Sequence, residues 1–292
     1  MKQKTQQPES FIQKKIKKLK SVYHKYGYMG TVSFCVNFLF AKTGWFRDSW
    51  ILGRLVEILG NTVSVDGCHF NVSSPIIQTV RKSRFVLGRY ERKERRAVHD
   101  FLDRSLPVIE LGACIGVVSC ITNKILQNPK NHVVVEANPD LIPLLTENRG
   151  LNKCSFTILN KASGYSSKET LFYQNEIFLS GSLQRETTKA IFVPTITLEE
   201  IFTNYNFDYA NLICDIEGGE IDLISNEIDI LSKKVFKIIV EVHPSVVGEE
   251  AINIACQKLV TSGFRKIPAT VDYYGDVFIF ENTKLKTLLF QK

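Results

Sequence analysis

The sequence predicts a doubly wound α/β sheet. Three observations carry that prediction. Apolar runs of strand length at 107–111, 132–136, 155–161, 211–215 and 235–242 alternate with segments of helical periodicity, the pattern of parallel strands joined by crossover helices. The first run enters a glycine loop, 108–116 (VIELGACIG), and a helix opens at about Val117. The second, 133–139 (VVVEANP), ends in an acid just before a helix-starting proline. With 292 residues and 44% hydrophobic content, the chain can build one large core with an appendage.

Taken in order, the elements begin with a basic arm. Ile12, Ile16, Leu19, Tyr23 and Tyr26 recur at helical spacing, with lysines around them. Residues 38–59 also read as helical, with Trp45 and Trp50 as packing or interface residues. Residues 62–72 alternate about Asp66-Gly67, a hairpin turn pair. Pro75 is a candidate start for a short helix, and residues 90–102 form an amphipathic one leading into the first core strand. Leu171–Tyr173 and Ile191–Val193 read as an inserted β-ribbon, and Thr197 to Glu200 as a capping box. A helix is expected from Gly218 to Leu231 and another over 249–262. Strands at Phe264 and Val277 close the chain. The expected division is a basic helical arm at 1–60, a hairpin and helix lead-in at 61–105, and the sheet domain at 106–292.

Charge and cysteine usage limit the function classes. Residues 1–26 hold eight lysines against Glu9, a balance of +7 that equals the formal charge of the whole chain. The rest is neutral, so no nucleic-acid surface is expected there. Attraction to an anionic surface belongs to the arm, which reads either as a membrane-surface helix or as a solvated or partner-packed one. The seven cysteines are scattered and form no C-x-x-C, which favours reduced thiols over disulfides or zinc. The best apolar run, 29–41, is interrupted by Asn37 and falls short of the roughly 20 residues of a membrane span. The expected location is cytoplasmic, with peripheral contact at the inner membrane face through residues 1–26 as an extension of that reading.

The loop chemistry points to a ligand. Gly112 and Gly116 form G-x-x-x-G, not the G-x-G-x-x-G that cradles a pyrophosphate. Glu110 before the loop suits a ligand with positive charge and amine hydrogens. S-adenosylmethionine (SAM) has both and no phosphate. Glu110, Gly112, Ala113, Cys114 and Gly116 are expected around its methionine part. Glu136 is placed to hold the ribose and Asn138 to lie near the adenine, with Ala137 between them as a further cofactor contact. Another nucleotide in a generic turn is the alternative for the loop. For Glu136 the alternative is a favourable interaction with the following helix dipole. Asp215 ends the fourth core strand, where it can meet the SAM amino group or a substrate hydroxyl. Glu217 would share its side if strand geometry persists. Glu217 and Glu220 read equally as caps of the next helix. Glu241 and His243 end the neighbouring strand, His243 as a general base or as a residue that orders the loop. Asp215, Glu217, Glu241 and His243 also present oxygen and nitrogen donors to a divalent metal; no metal ligand set is assigned. Tyr90-Glu91 reads as a cofactor contact or a surface helix start.

Four segments in order carry a family resemblance: 110–116 (ELGACIG), 136–139 (EANP), 213–220 (ICDIEGGE) and 241–243 (EVH). Together they resemble the FkbM family of SAM-dependent methyltransferases, whose pattern is D-x-G-A-N-x-G, E-P-N-P, K-x-D-x-E-G-x-E and E-x-H. The chain departs in its first acid, Glu110, and at Cys114, Ala137 and Ile213. The resemblance spans roughly residues 89–280. It implies a Rossmann-like class I methyltransferase sheet of seven mostly parallel strands with an antiparallel final strand, and it places Ala162 and Ser163 beside the adenine. It also implies an O-methyltransferase acting on a hydroxyl of a sugar, glycan or related small acceptor. A nucleotide-dependent oxidoreductase and a non-catalytic SAM-binding protein are the competing readings.

Overall fold

The computed structural model describes residues 48–165, 168–174, 189–268 and 274–290. The basic arm of 1–26, Trp45 and the first part of the helix expected over 38–59 lie outside them. The described chain opens with α1 (Trp50–Ile58), the hairpin β1 (Thr62–Val65) and β2 (Cys68–Asn71), α2 (Thr79–Val86) and α3 (Arg92–Phe101). The hairpin closes as its turn chemistry dictates, with Val65 opposite Cys68 and both Asp66 and Gly67 at positive φ. Pro75 lies in a turn closed by Ser74, and the helix starts later, at Thr79. Tyr90 also precedes its helix. Glu91 is left-handed at φ 45°, and the Arg95 guanidinium pulls the approach segment in through the carbonyls of Gly88 and Tyr90.

The sheet then builds from β3 (Val108–Leu111), α4 (Val117–Ile125), β4 (His132–Val135), α5 (Ile142–Leu151) and β5 (Thr157–Leu159). A ribbon follows, β6 (Ala162–Ser163), β7 (Glu169–Gln174) and β8 (Lys189–Ile196), with Leu171 opposite Phe192. Next come α6 (Leu198–Asn204), β9 (Ala210–Cys214), α7 (Glu220–Asn226), α8 (Ile228–Lys234) and β10 (Val235–Glu241). The chain ends with α9 (Pro244–Val247), α10 (Glu249–Thr261), β11 (Phe264–Lys266), β12 (Val277–Asn282) and α11 (Thr283–Phe290). The seven strands run in the order β11-β12-β10-β9-β3-β4-β5, and β12 is antiparallel to its neighbours. This is the seven-stranded, mostly parallel Rossmann-like sheet expected. β3, β4 and β9 are buried along their whole length, as Val- and Ile-rich strands covered on both faces must be.

Two further element predictions change. The helix expected from Gly218 to Leu231 is two helices. Glu227 sits between them at φ −114°, and its carboxylate turns inward to accept from the backbone N–H groups of Leu198 and Glu199 at the start of α6. The strand expected over 155–161 pairs only over 157–159, because the Asn160 side chain turns away to donate to the carbonyls of Glu136 and Ala137. The capping box at Thr197 and Glu200 forms as read. The lead-in is not a separate layer: Phe70, Phe85 and Val65 share one apolar cluster with Ile115, Ile121 and Leu145.

Candidate functional site

A cleft of about 480 Å³ opens at the carboxyl ends of β3, β4 and β9, within the range of small-ligand sites. Of the expected residues, Gly112, Cys114, Glu136, Ala137, Asn138, Ala162, Ser163, Asp215, Glu217 and Glu241 line it. Glu110, Ala113, Gly116 and His243 do not. Glu110 lies under the floor, 1% exposed, accepting from the Ser119 hydroxyl at 2.6 Å and facing His132 Nε2 at 3.1 Å. It holds β3 to α4 and β4, because a buried carboxylate is drawn to the two polar partners beneath the loop. Ala113 is buried beside it, and Gly116 caps α4 at φ 83°.

The loop glycines make room for protein atoms. A Cβ on Gly112 would lie 1.6 Å from the carbonyl oxygen of Asp215, and one on Gly116 would lie 2.5 Å from Leu145. Gly112, at φ 87°, thus lets β3 and β9 carry their ends together and brings Asp215 into the cleft. The Asp215 N–H completes the ladder to the Leu111 carbonyl.

At one end of the cleft, Glu136 accepts from the backbone N–H groups of Cys114 and Asn138, each at 2.7 Å. Burial pushes its carboxyl up to about 7 against the pull of those donors. The N–H groups of Ala137 and Ala113 also favour the ionised carboxylate, whose acceptor capacity exceeds two bonds. The Asn138 side chain is spent on capping Asp140 N. Phe172 and Leu141 add apolar surface suited to a purine.

The other end is acidic. Burial, Glu217 and other neighbouring acids push Asp215 well up, with His243 opposing. Burial, a hydrogen bond shared with Glu94 and the charge of Asp215 raise Glu241 to about 12. Glu91 is raised by burial, Glu94 and Asp215. Among the described residues, Glu91 Oε2 and Asp215 Oδ1 are buried with no hydrogen-bond partner, although His243 Nε2 lies 3.5 Å from Asp215 Oδ1. Such a wall is costly alone and favours a positively charged occupant, which would draw these carboxyls back toward ionisation.

His243 is held behind this wall. Its Nδ1 is 3.1 Å from Glu220 Oε1, and its Nε2 is 3.5 Å from Asp215 Oδ1 and 3.6 Å from Glu217 Oε2. Burial alone would lower its pKa, but Glu220, Asp215 and Glu217 outweigh it and hold the imidazole near 9. His243 does not line the cleft, and its two ring nitrogens are placed to balance the charge of these three acids. Glu220 is the loop-ordering residue, accepting from the N–H groups of Ile216 and Gly218. Glu217 reaches the cleft by another route than strand alternation: β9 ends at Cys214, and Glu217 turns in at φ 52°. Donor atoms of Asp215, Glu241 and His243 lie within 4.8 Å of one another, a spacing that suits a metal ion or the positive end of an organic ligand.

Several lining residues carried little sequence signal. Glu94 is an acid on the buried face of α3, a charge where the helical pattern wants an apolar residue. Tyr90 stacks on Phe85 at 4.1 Å and donates its hydroxyl to Cys114 Sγ, fixing the approach segment over the loop. Arg84, Arg89 and Lys161 also line the cleft, and no motif marks them.

Residues 110–278 match the methyltransferase FkbM domain, more than half of the chain. No curated protein matches the chain in sequence. Solved structures are distant likenesses. An NADB-Rossmann superfamily protein from Streptococcus agalactiae is 11% identical, over 65% of this chain and 68% of that one, with a TM-score of 0.40. A precorrin-6y methyltransferase from Geobacter metallireducens is 13% identical, over 65% and 86%, at 0.39. Aeropyrum pernix fibrillarin with natively bound S-adenosyl-L-methionine is 9% identical, over 62% and 67%, at 0.38.

Proposed function

Because the chain belongs to the FkbM family of methyltransferases, we propose that it transfers the methyl group of SAM to a hydroxyl oxygen of a sugar, glycan or related small acceptor. The observation that carries this reading is the pairing of the buried acid Glu136 at one end of the cleft with an acidic end formed by Asp215, Glu91 and Glu241, where Glu91 Oε2 lies buried without a hydrogen-bond partner among the described residues. The residues fit SAM on both counts. Glu136 would hold the ribose, Ala162, Ser163 and Phe172 the base, and Glu91 and Glu241 the amino end. SAM supplies an electrophilic methyl group on a sulfonium.

The chain's own residues do the rest. Glu217 and Asp215 accept hydrogen bonds from the acceptor, and a polyol offers the hydroxyl donors that carboxylates favour. Asp215 takes the proton of the attacking hydroxyl as the carbon–oxygen bond forms. Its raised pKa makes it the stronger base once ionised, and the His243 cation beside it favours that ionised form. The balance would be an alcohol and a methyl sulfonium consumed, a methyl ether and a neutral thioether made as the carbon–sulfur bond breaks, and one proton left on Asp215, which passes it to water at the open face. Tyr90 lines the cleft with its ring stacked on the buried Phe85, and positioning supplies most of the rate.

Asp215→Asn tests this. Methyl transfer should fall about 10²–10⁴-fold, while affinity for S-adenosylhomocysteine stays within a few-fold. Mass spectrometry of the product should show a methyl ether. A wild-type rate in the variant, or a methyl group found on nitrogen or a carboxyl, would refute the assignment.

A further inference from the structure

The acidic end of the cleft suits only part of the ligand proposed for it. The amino-acid tail of SAM carries an ammonium, a sulfonium and a carboxylate. Glu91, Glu94, Asp215, Glu217 and Glu241 suit the two cations. They repel the carboxylate, which needs a cation of its own. Among the described residues, five basic side chains line the cleft: Arg84, Arg89, Arg92, Lys93 and Lys161. Four are engaged or lie elsewhere. Arg84 forms a two-point pair with Asp48, at 2.6 and 2.9 Å. Arg92 is exposed and interacts with another residue. Lys93 is 44% exposed, 3.9 Å from Asp276 and within electrostatic reach of Glu241. Lys161 follows β5, across β4 and Glu136 from the end of β9 where Asp215 stands.

Arg89 remains. It is half-buried, and its side chain makes no hydrogen bond or ion pair among the described residues. Its backbone is fixed. The Arg89 N–H donates to the Arg84 carbonyl at 2.7 Å, and the buried Arg95 guanidinium holds the carbonyls of Gly88 and Tyr90 on either side, each at 2.9 Å. The next residue, Tyr90, touches the glycine loop through Cys114 Sγ at 3.2 Å, and the one after it, Glu91, belongs to the acidic end. An unpaired guanidinium on so rigid a mount loses little freedom when it takes a partner. We propose that Arg89 binds the carboxylate of SAM in a two-point guanidinium–carboxylate pair, an assignment that rests on the SAM reading of the cleft. With Glu91 on the ammonium two residues away, the amino-acid tail is held at both of its charged groups. The same pair makes the site select against nucleosides whose tail lacks a carboxylate.

The test is calorimetry of the full chain with S-adenosylhomocysteine and with its decarboxylated counterpart, which keeps the ammonium and the thioether. The wild type should prefer the first by about tenfold or more, the size of a hydrogen bond between charged groups. In Arg89→Gln, affinity for S-adenosylhomocysteine should fall about tenfold or more, while affinity for the decarboxylated compound stays within about threefold. Arg89→Lys should recover part of the loss, since an ammonium keeps the charge and not the fork. A merely structural role would weaken both ligands alike. Equal loss for both ligands in Arg89→Gln, or no loss for either, overturns the assignment while wild-type binding keeps the SAM reading. So does a loss of the preference in Lys93→Gln with Arg89→Gln unchanged. A wild type that binds neither ligand overturns the SAM reading itself and this assignment with it.

Discussion

Replacing Glu136 isolates the nucleoside end of the cleft. The carboxylate has two roles that separate by measurement. It satisfies the N–H groups of Cys114 and Asn138 at 2.7 Å, and in the proposed function it accepts from the ribose hydroxyls. In Glu136→Ala, hydroxyl bonds to a charged acceptor are lost, each worth about 1.5–3 kcal/mol. One such bond corresponds to roughly a 10- to 150-fold loss of affinity. Calorimetry with S-adenosylhomocysteine should show at least that loss. The pH dependence adds a second signature. The Glu136 carboxyl is raised by burial from 4.5 to about 7 in the folded protein. Hydroxyl donors favour its ionised form, so affinity should fall as pH drops below about 7, and Glu136→Gln should flatten that fall. The stability effect has the opposite sign. The group's contribution is fully present below about 4.5 and is lost as pH rises through about 7, on the order of 3 kcal/mol in all. Unchanged affinity in a folded Glu136→Ala protein would refute the assignment of the ribose to this residue.

Further outcomes follow from the same geometry. Gly112→Ala should destabilise the protein by several kcal/mol and remove cofactor binding, since its Cβ would collide with the Asp215 carbonyl; thermal melting and calorimetry check it. His243→Ala should slow turnover far more than it weakens S-adenosylhomocysteine binding, in single-turnover kinetics. In the wild type, stability from the His243 cluster is full below 6.5 and lost as pH rises through about 9, because its imidazole is raised from 6.5 to about 9; His243→Ala should remove that alkaline loss in melts across pH. Deleting residues 1–26 should leave methylation of a water-soluble acceptor nearly intact and reduce sedimentation with anionic vesicles, each basic side chain contributing about 1 kcal/mol.

The sheet was legible because its signal is local and repeated. Runs such as 133–135 and 212–214 are buried on both faces and apolar throughout, so their order announces parallel strands. The carboxyl-end acids, Glu136, Asp215 and Glu241, were legible because the fold puts strand ends at the crevice. Side-chain direction was not. Glu110 reads from sequence as a ligand contact, yet Ser119 and His132, nine and 22 residues away, claim its carboxylate below the floor. Glu227 interrupts a helix through a bond to the start of α6, 29 residues back. The protonation of His243 depends on three acids brought together by a left-handed turn at Glu217, which no period in the sequence encodes. Gly112 was identified as a ligand-approach glycine, and its tightest neighbour is the backbone of Asp215.

The most direct test of the account is a crystal structure with S-adenosylhomocysteine. The ribose hydroxyls should lie on the Glu136 carboxylate, the base against Ala162, Ser163 and Phe172, and the sulfur turned toward Asp215 and Glu217. A ribose bound away from Glu136, or a sulfur facing away from the acidic wall, would contradict it.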